Sequence, residues 1–148
     1  MRRTALMAVP LLLGLSVASC ADPGDVTQGS LVGTWEADAF VFSDLGDPVT
    51  EVDVIGLGGS VTIAFDANGT YQLTRTVVQP AVESGGWELI GTHQLNLTAN
   101  GATAPTEFRA FIYTVYAGPV LGLSSDDVRF DFGDGEIPAY LSALFYVK

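Results

Sequence analysis

A chain of 148 residues with 17 acidic and six basic side chains, a formal net charge of −11, one histidine and one cysteine is poorly equipped for several kinds of work. Binding nucleic acid by counterion release needs clustered lysine and arginine, which this composition lacks, so nucleic acid is excluded as a partner. A zinc centre needs more nitrogen or sulfur ligands than one histidine and one cysteine supply, and few side chains remain to pair a nucleophile with a base, so no enzyme and no cofactor are expected.

Arg2 and Arg3 precede an almost wholly apolar run from Ala5 to Leu15, and small residues follow in Val17-Ala18-Ser19-Cys20. That is the order of a secretory leader, and the apolar run is too short to span a bilayer. An ordinary leader cut nearby would fit; the four residues ending at Cys20 also resemble the bacterial lipobox. The resemblance implies that residues 1–19 are removed and that Cys20 becomes a lipidated first residue holding the chain on a membrane. By the sorting rules of that class, Ala21 in second place implies the outer membrane of a bacterial cell envelope. Residues 20–30, rich in Asp, Pro and Gly, read as a tether, and residues 31–148 as one domain, large enough for a real core. Once Arg2 and Arg3 leave, four of the six basic residues face 17 acids, a formal charge of −13 that suits the solubility of an exported domain.

From Leu31 onward the periodicity is that of strands. Turn signals recur at Gly46-Asp47-Pro48, Gly56 to Gly59, Asn68-Gly69, Ser84-Gly85-Gly86, Asn100-Gly101, Gly118-Pro119 and Gly133-Asp134-Gly135. Between them strands are predicted near 33–43, 49–55, 60–66, 70–79, 86–90, 93–98, 106–117, 127–132 and 138–147. In the clearest hairpin Val61, Ile63 and Phe65 alternate with polar or small residues before Asn68-Gly69, whose positive-φ preference suits a tight turn. A second hairpin joins residues 87–90 to 93–98 through Gly91. The expected fold is all-β, an antiparallel up-and-down barrel of about eight to ten strands; a sandwich would also fit the strand count.

Leu31-Val32-Gly33-Thr34-Trp35-Glu36 matches the Gly-x-Trp signature that opens lipocalins and related calycins. Phe65 to Tyr71 and Gly86 to Thr98 resemble the later strand, turn and hairpin order of bacterial lipocalin-like lipoproteins. The resemblance implies a closed barrel, a short helical turn before the first strand, and Gly33 and Trp35 at a plugged base. It also implies a binding role, for a small hydrophobic or amphipathic ligand inside the barrel. The chain departs from classical lipocalins in lacking a Thr-Asp-Tyr motif and a C-terminal helix, because Tyr140 to Lys148 reads as a strand. Arg129 is the candidate to pack on the base tryptophan by a cation–π contact, although its alternation with Val128, Phe130 and Phe132 equally suits a solvent-facing position.

The expected interior comprises Trp35, Phe40, Phe42, Ile63, Phe65, Tyr71, Leu73, Leu95, Leu97, Phe111, Tyr113 and Phe145. Arg75 continues the face of Tyr71 and Leu73, and Arg109 that of Phe111 and Tyr113. If these six residues point inward, the two guanidinium groups hold one carboxylate in an apolar cavity; if not, each arginine pairs with an outer acid. The segment from Ser43 to Gly59 stands where lipocalins place a lid, and otherwise reads as an edge strand with a glycine turn. Asp126, Asp127, Asp131, Asp134 and Glu136 could supply oxygen ligands to calcium, but they miss the EF-hand spacing and read equally as a solvated turn; no metal is assigned. His93 reads as a rim residue. The last strand is apolar on both faces, so something covers its outer side: a second copy, the segment from Gly118 to Asp126, or a membrane surface. Two functional classes remain: a binding module for a small apolar ligand, and a structural or protein-interaction barrel with a filled interior, such as an envelope assembly component or a protease inhibitor, its protein partner unspecified.

Overall fold

The computed structural model describes residues 24–46 and 49–148. The expected leader, Cys20 and the Asp47-Pro48 part of the first expected turn lie outside the described residues. Nine antiparallel strands follow a single helical turn: α1 (Gln28–Leu31), β1 (Gly33–Asp44), β2 (Glu51–Asp53), β3 (Val61–Phe65), β4 (Thr70–Arg75), β5 (Ala81–Ile90), β6 (Gln94–Ala99), β7 (Thr106–Val115), β8 (Gly118–Asp131) and β9 (Glu136–Val147). Strands β1 and β3 to β9 pair in sequence, and β9 returns to β1, so eight strands close into a barrel. β2 adds to the same edge of β1 as β3, beyond it, through Val41 opposite Asp53. Closure leaves no unpaired edge around the ring, which is how a small all-β chain escapes edge-to-edge association. It requires strong twist, and bulges between Ala37 and Ala39 on β1 and between Ser125 and Val128 on β8 supply bends where β9 pairs with its two neighbours.

Alternation decides which side of the wall each residue takes. Trp35, Phe40 and Phe42 on β1, Val61, Ile63 and Phe65 on β3, Leu95 and Leu97 on β6, Leu121 and Leu123 on β8, and Leu141, Ala143 and Phe145 on β9 are all buried in one cluster. The polar partners of that alternation, such as Glu36, Gln72, Glu88 and Thr98, face out and are exposed. An apolar lumen inside a largely polar wall is the reverse of a membrane-spanning barrel. Burying each large aliphatic or aromatic side chain contributes about 1.5 to 3 kcal/mol, so this lining dominates the stability of the domain.

The base is closed by its own chain. Thr27 caps α1 through its hydroxyl, which accepts from the Ser30 N–H, while the Ser30 hydroxyl accepts from the Thr27 N–H. Gly33 follows at φ 140°, a backbone angle that favours glycine, and turns the chain into β1. Trp35 then lies beneath α1, 2% exposed, with its indole N–H given to the Leu31 carbonyl at 2.8 Å. Val26, also buried, is held against the β5–β6 turn and β7: its N–H donates to Thr92, and that of Gly24 to Ile112.

Three predicted segments change. Residues 76–79 are not strand: β4 stops at Arg75, and Val77 and Gln79 take positive φ in the turn that follows. β5 begins at Ala81, because Ser84-Gly85-Gly86 is not a turn but the middle of a strand. A Cβ on Gly85 would stand 2.0 Å from the Thr98 carbonyl oxygen, so glycine is there to admit the neighbouring backbone. Residues 118–126 are the first half of β8 rather than a loop, and so do not cover β9.

Candidate functional site

Tyr71, Leu73 and Arg75 climb the inner face of β4 from the core to the mouth. Tyr71 is 2% exposed, Leu73 packs on the core, and Arg75 is half-buried at the rim. Across β5, Glu83 stands opposite Leu73, and its carboxylate accepts a hydrogen bond from the Tyr71 hydroxyl. Burial, then the bond to Glu83 and its charge, push the Tyr71 hydroxyl well above the ordinary tyrosine range. The Arg75 guanidinium lies 5.3 Å from the Phe42 ring centroid, and its Nε donates to the Gln79 carbonyl at 3.0 Å. Burial lowers its pKa and the Glu83 charge opposes that shift; a guanidinium stays charged in either case. Phe42 stacks on Phe130 at 4.0 Å, and the Gln79 amide donates to the Asp131 carbonyl at 2.7 Å, tying the β4–β5 turn to β8 across the opening. Glu83, Gln79 and Phe130 thus complete the mouth. Glu83 escaped the sequence reading because the expected turn at Ser84-Gly85-Gly86 left it outside any strand, and Gln79 because the preceding strand was expected to run through it.

The expected pair of inward arginines does not form. On β7 the residues facing in are Phe108, Ala110 and Ile112, which places Arg109, Phe111 and Tyr113 on the outer wall. The reason is steric: Ala110 is fully buried, so the lumen here has room for a methyl group, not for Phe111 or Tyr113. Arg75 and Arg109 therefore lie on opposite faces of the wall.

Two hollows lie outside the lumen. The larger, about 920 Å³, is an open groove over β6 to β9, lined by His93, Gln94, Arg109, Phe111, Ser124 and Tyr140, with Glu107 and Asp126 at its side. His93 tilts against Phe111 with ring centroids 5.0 Å apart. Its Nδ1 donates to the Ala110 carbonyl at 3.2 Å, leaving Nε2 toward the Asp25 carboxylate at 3.6 Å. The Ser125 hydroxyl donates to the Glu107 carbonyl at 2.6 Å and accepts from the Asp127 N–H, fixing the bulge beside the groove. The smaller hollow, about 260 Å³, lies between α1 and Trp87.

The structure bears on three further readings. Arg129 pairs with Pro138 near the mouth and donates to the Glu136 carbonyl at 2.7 Å, at the opposite end of the barrel from Trp35; the base tryptophan has its backbone partner instead. The Ser43–Gly59 segment is no free lid among its described residues: β2 pairs with β1, and Val54 is fully buried in the core. In the acidic stretch, Asp131 accepts from the N–H groups of Gly133 and Gly135, and no cluster of three or more potential metal ligands occurs among the described residues. No family model, curated protein or solved structure matches this chain.

Proposed function

We propose that the chain is a lipid-anchored envelope protein, attached at Cys20, whose lipocalin-like barrel acts as a structural or protein-interaction module through its outer wall. The observation that carries this reading is where space lies: the lumen is occupied by Trp35, Phe40, Phe42, Phe65, Trp87, Phe108, Phe130 and Phe145, whereas the 920 Å³ groove is outside. A pocket for a small molecule is ordinarily a concave apolar cavity that buries most of its ligand; this groove is open and mixed in polarity, which suits a segment of another protein. Arginine and aromatic side chains of the kind supplied by Arg109, Phe111 and Tyr140 are enriched where proteins meet. The reading is non-catalytic, since His93 is committed to a backbone carbonyl and to Asp25 at the groove's end.

The competing reading, a small amphipathic ligand, has one observation in its favour, the Arg75 cation at the mouth. That cation already faces Phe42 and Gln79, and a ligand tail could enter only by displacing core aromatics. Titrating the full-length protein with oleate separates the two. The packed barrel predicts unchanged tryptophan emission, because Trp35 and Trp87 keep their surroundings; a saturable change would overturn it. Feeding cells an alkyne fatty acid tests the anchor, with labelling expected in the parent and absent in Cys20→Ser.

A further inference from the structure

The outer faces of β7, β8 and β9 carry rows of residues that alternation ought to make polar. One row runs Phe111, Gly122, Leu144; the next runs Tyr113, Val120, Tyr146; Val115 and Gly118 follow at the end of the hairpin. None is charged, in a chain with 17 acids. Gly122 lets the flanking side chains lie flat over it: a Cβ there would stand 3.4 Å from the Tyr113 ring and 3.7 Å from a Leu144 methyl. Tyr116, at the tip of the β7–β8 hairpin, is fully exposed, while Leu144 and Tyr146 are exposed by 41% and 36%. The Glu36–Lys148 pair borders the patch near the base, and Arg109, Ser124 and Ser142 border it toward the mouth.

What should cover this face follows from where the chain enters the barrel. Gly24 is bridged to Ile112, on the same strand as Phe111 and Tyr113, by a 2.9 Å hydrogen bond. Cys20 is four residues earlier, and four residues span at most about 14 Å. From Ile112 to Tyr116 is likewise four residues, about 14 Å of strand. An acyl group on Cys20 would therefore hold the lipid surface within reach of this uncharged patch and no farther from it than the patch is long. We infer that the Tyr113–Tyr116 end of this face of β7–β9, beyond the groove lined by Phe111, lies on the bilayer interface, seating the barrel sideways against the membrane that anchors it. Tyrosines favour that zone because a ring sits among acyl chains while the hydroxyl stays wet, and the acidic remainder of the wall then faces away from the head groups. The inference rests on acylation of Cys20.

The test uses the full chain, expressed with its leader, purified and labelled with an environment-sensitive fluorophore at Tyr116→Cys or, on the opposite wall, at Gln72→Cys. Both native residues are exposed, so neither substitution opens the core. The proteins are reconstituted in phosphatidylcholine vesicles with and without doxyl-labelled lipid. The expected result is loss of emission from position 116 in doxyl vesicles, with position 72 unaffected. Emission retained at both positions by protein that floats with the vesicles would leave the anchor intact and overturn the seating. Disulfide cross-linking of Tyr116→Cys copies to one another would give the face to a second copy instead. An intact mass without acyl groups, with protein remaining in the soluble fraction, would remove the anchor and the seating together.

Discussion

At the base of the barrel, Trp35 and Trp87 give their indole N–H groups to the carbonyls of Leu31 and Asp66, and both rings are buried under α1 and the Asn68-Gly69 turn. At the mouth, closure falls to Tyr71 and Glu83, to Arg75 over Phe42, and to Gln79 reaching Asp131. Neutral donors on backbone carbonyls, sealed from water, hold at any pH; ionisable side chains at a rim respond to pH and can return to solvent when a partner is lost. The base is therefore the structural end of the molecule and the mouth the adjustable one.

Substitutions at the two ends should differ accordingly in urea unfolding. Trp35→Ala removes a buried indole and its hydrogen bond, and should cost about 4 kcal/mol, as large-to-small aromatic changes in cores do. A loss under about 1 kcal/mol would mean the base is not the seal described. Gly85→Ala probes the wall midway between the ends: its Cβ would meet the Thr98 carbonyl, a rigid backbone atom, and should destabilise by about 2 kcal/mol, in the range of overpacked cores.

Tyr71→Phe should cost less, about 1 kcal/mol, because Glu83 is exposed enough to find water. Its pH dependence is more telling. A hydroxyl whose folded pKa lies above its unfolded value stabilises the fold fully below the unfolded value and loses that contribution as pH rises past it. Wild-type stability should thus fall as pH climbs beyond about 10, the unperturbed tyrosine value, and Tyr71→Phe should flatten part of that fall. Identical alkaline profiles would detach Tyr71 from the effect. Arg75→Met, which keeps the apolar stem, should cost least, about 0.5 kcal/mol, as for a partly exposed cation–π contact; a loss comparable to Trp35→Ala would make the mouth part of the core.

The fold was legible wherever one face of a strand was clearly apolar. Val61, Ile63 and Phe65 alternate with Thr62 and Ala64, and Asn68-Gly69 turns the chain at Gly69, whose φ is 83°. Legibility failed in two ways. Gly85 and Gly118 looked like punctuation, whereas Gly85 admits a neighbouring backbone and Gly118 opens β8. On β7 large apolar side chains stand on both faces, Phe108 and Ile112 on one and Phe111 and Tyr113 on the other, and the expected interior took Phe111 and Tyr113. The lumen reversed that choice, since aromatic residues from other strands already fill it and leave space only for a small side chain at position 110. The candidate ligand site drawn from that choice split into a mouth holding Tyr71, Leu73 and Arg75 and an outer wall holding Arg109, Phe111 and Tyr113.

Native mass spectrometry of the processed full-length protein, released from cells in mild detergent, bears most directly on the occupied lumen. A barrel filled by its own side chains predicts the mass of the polypeptide with whatever groups are covalently attached to it and nothing more. A further discrete mass that departs on denaturation would contradict it and return the interior to a small-molecule ligand.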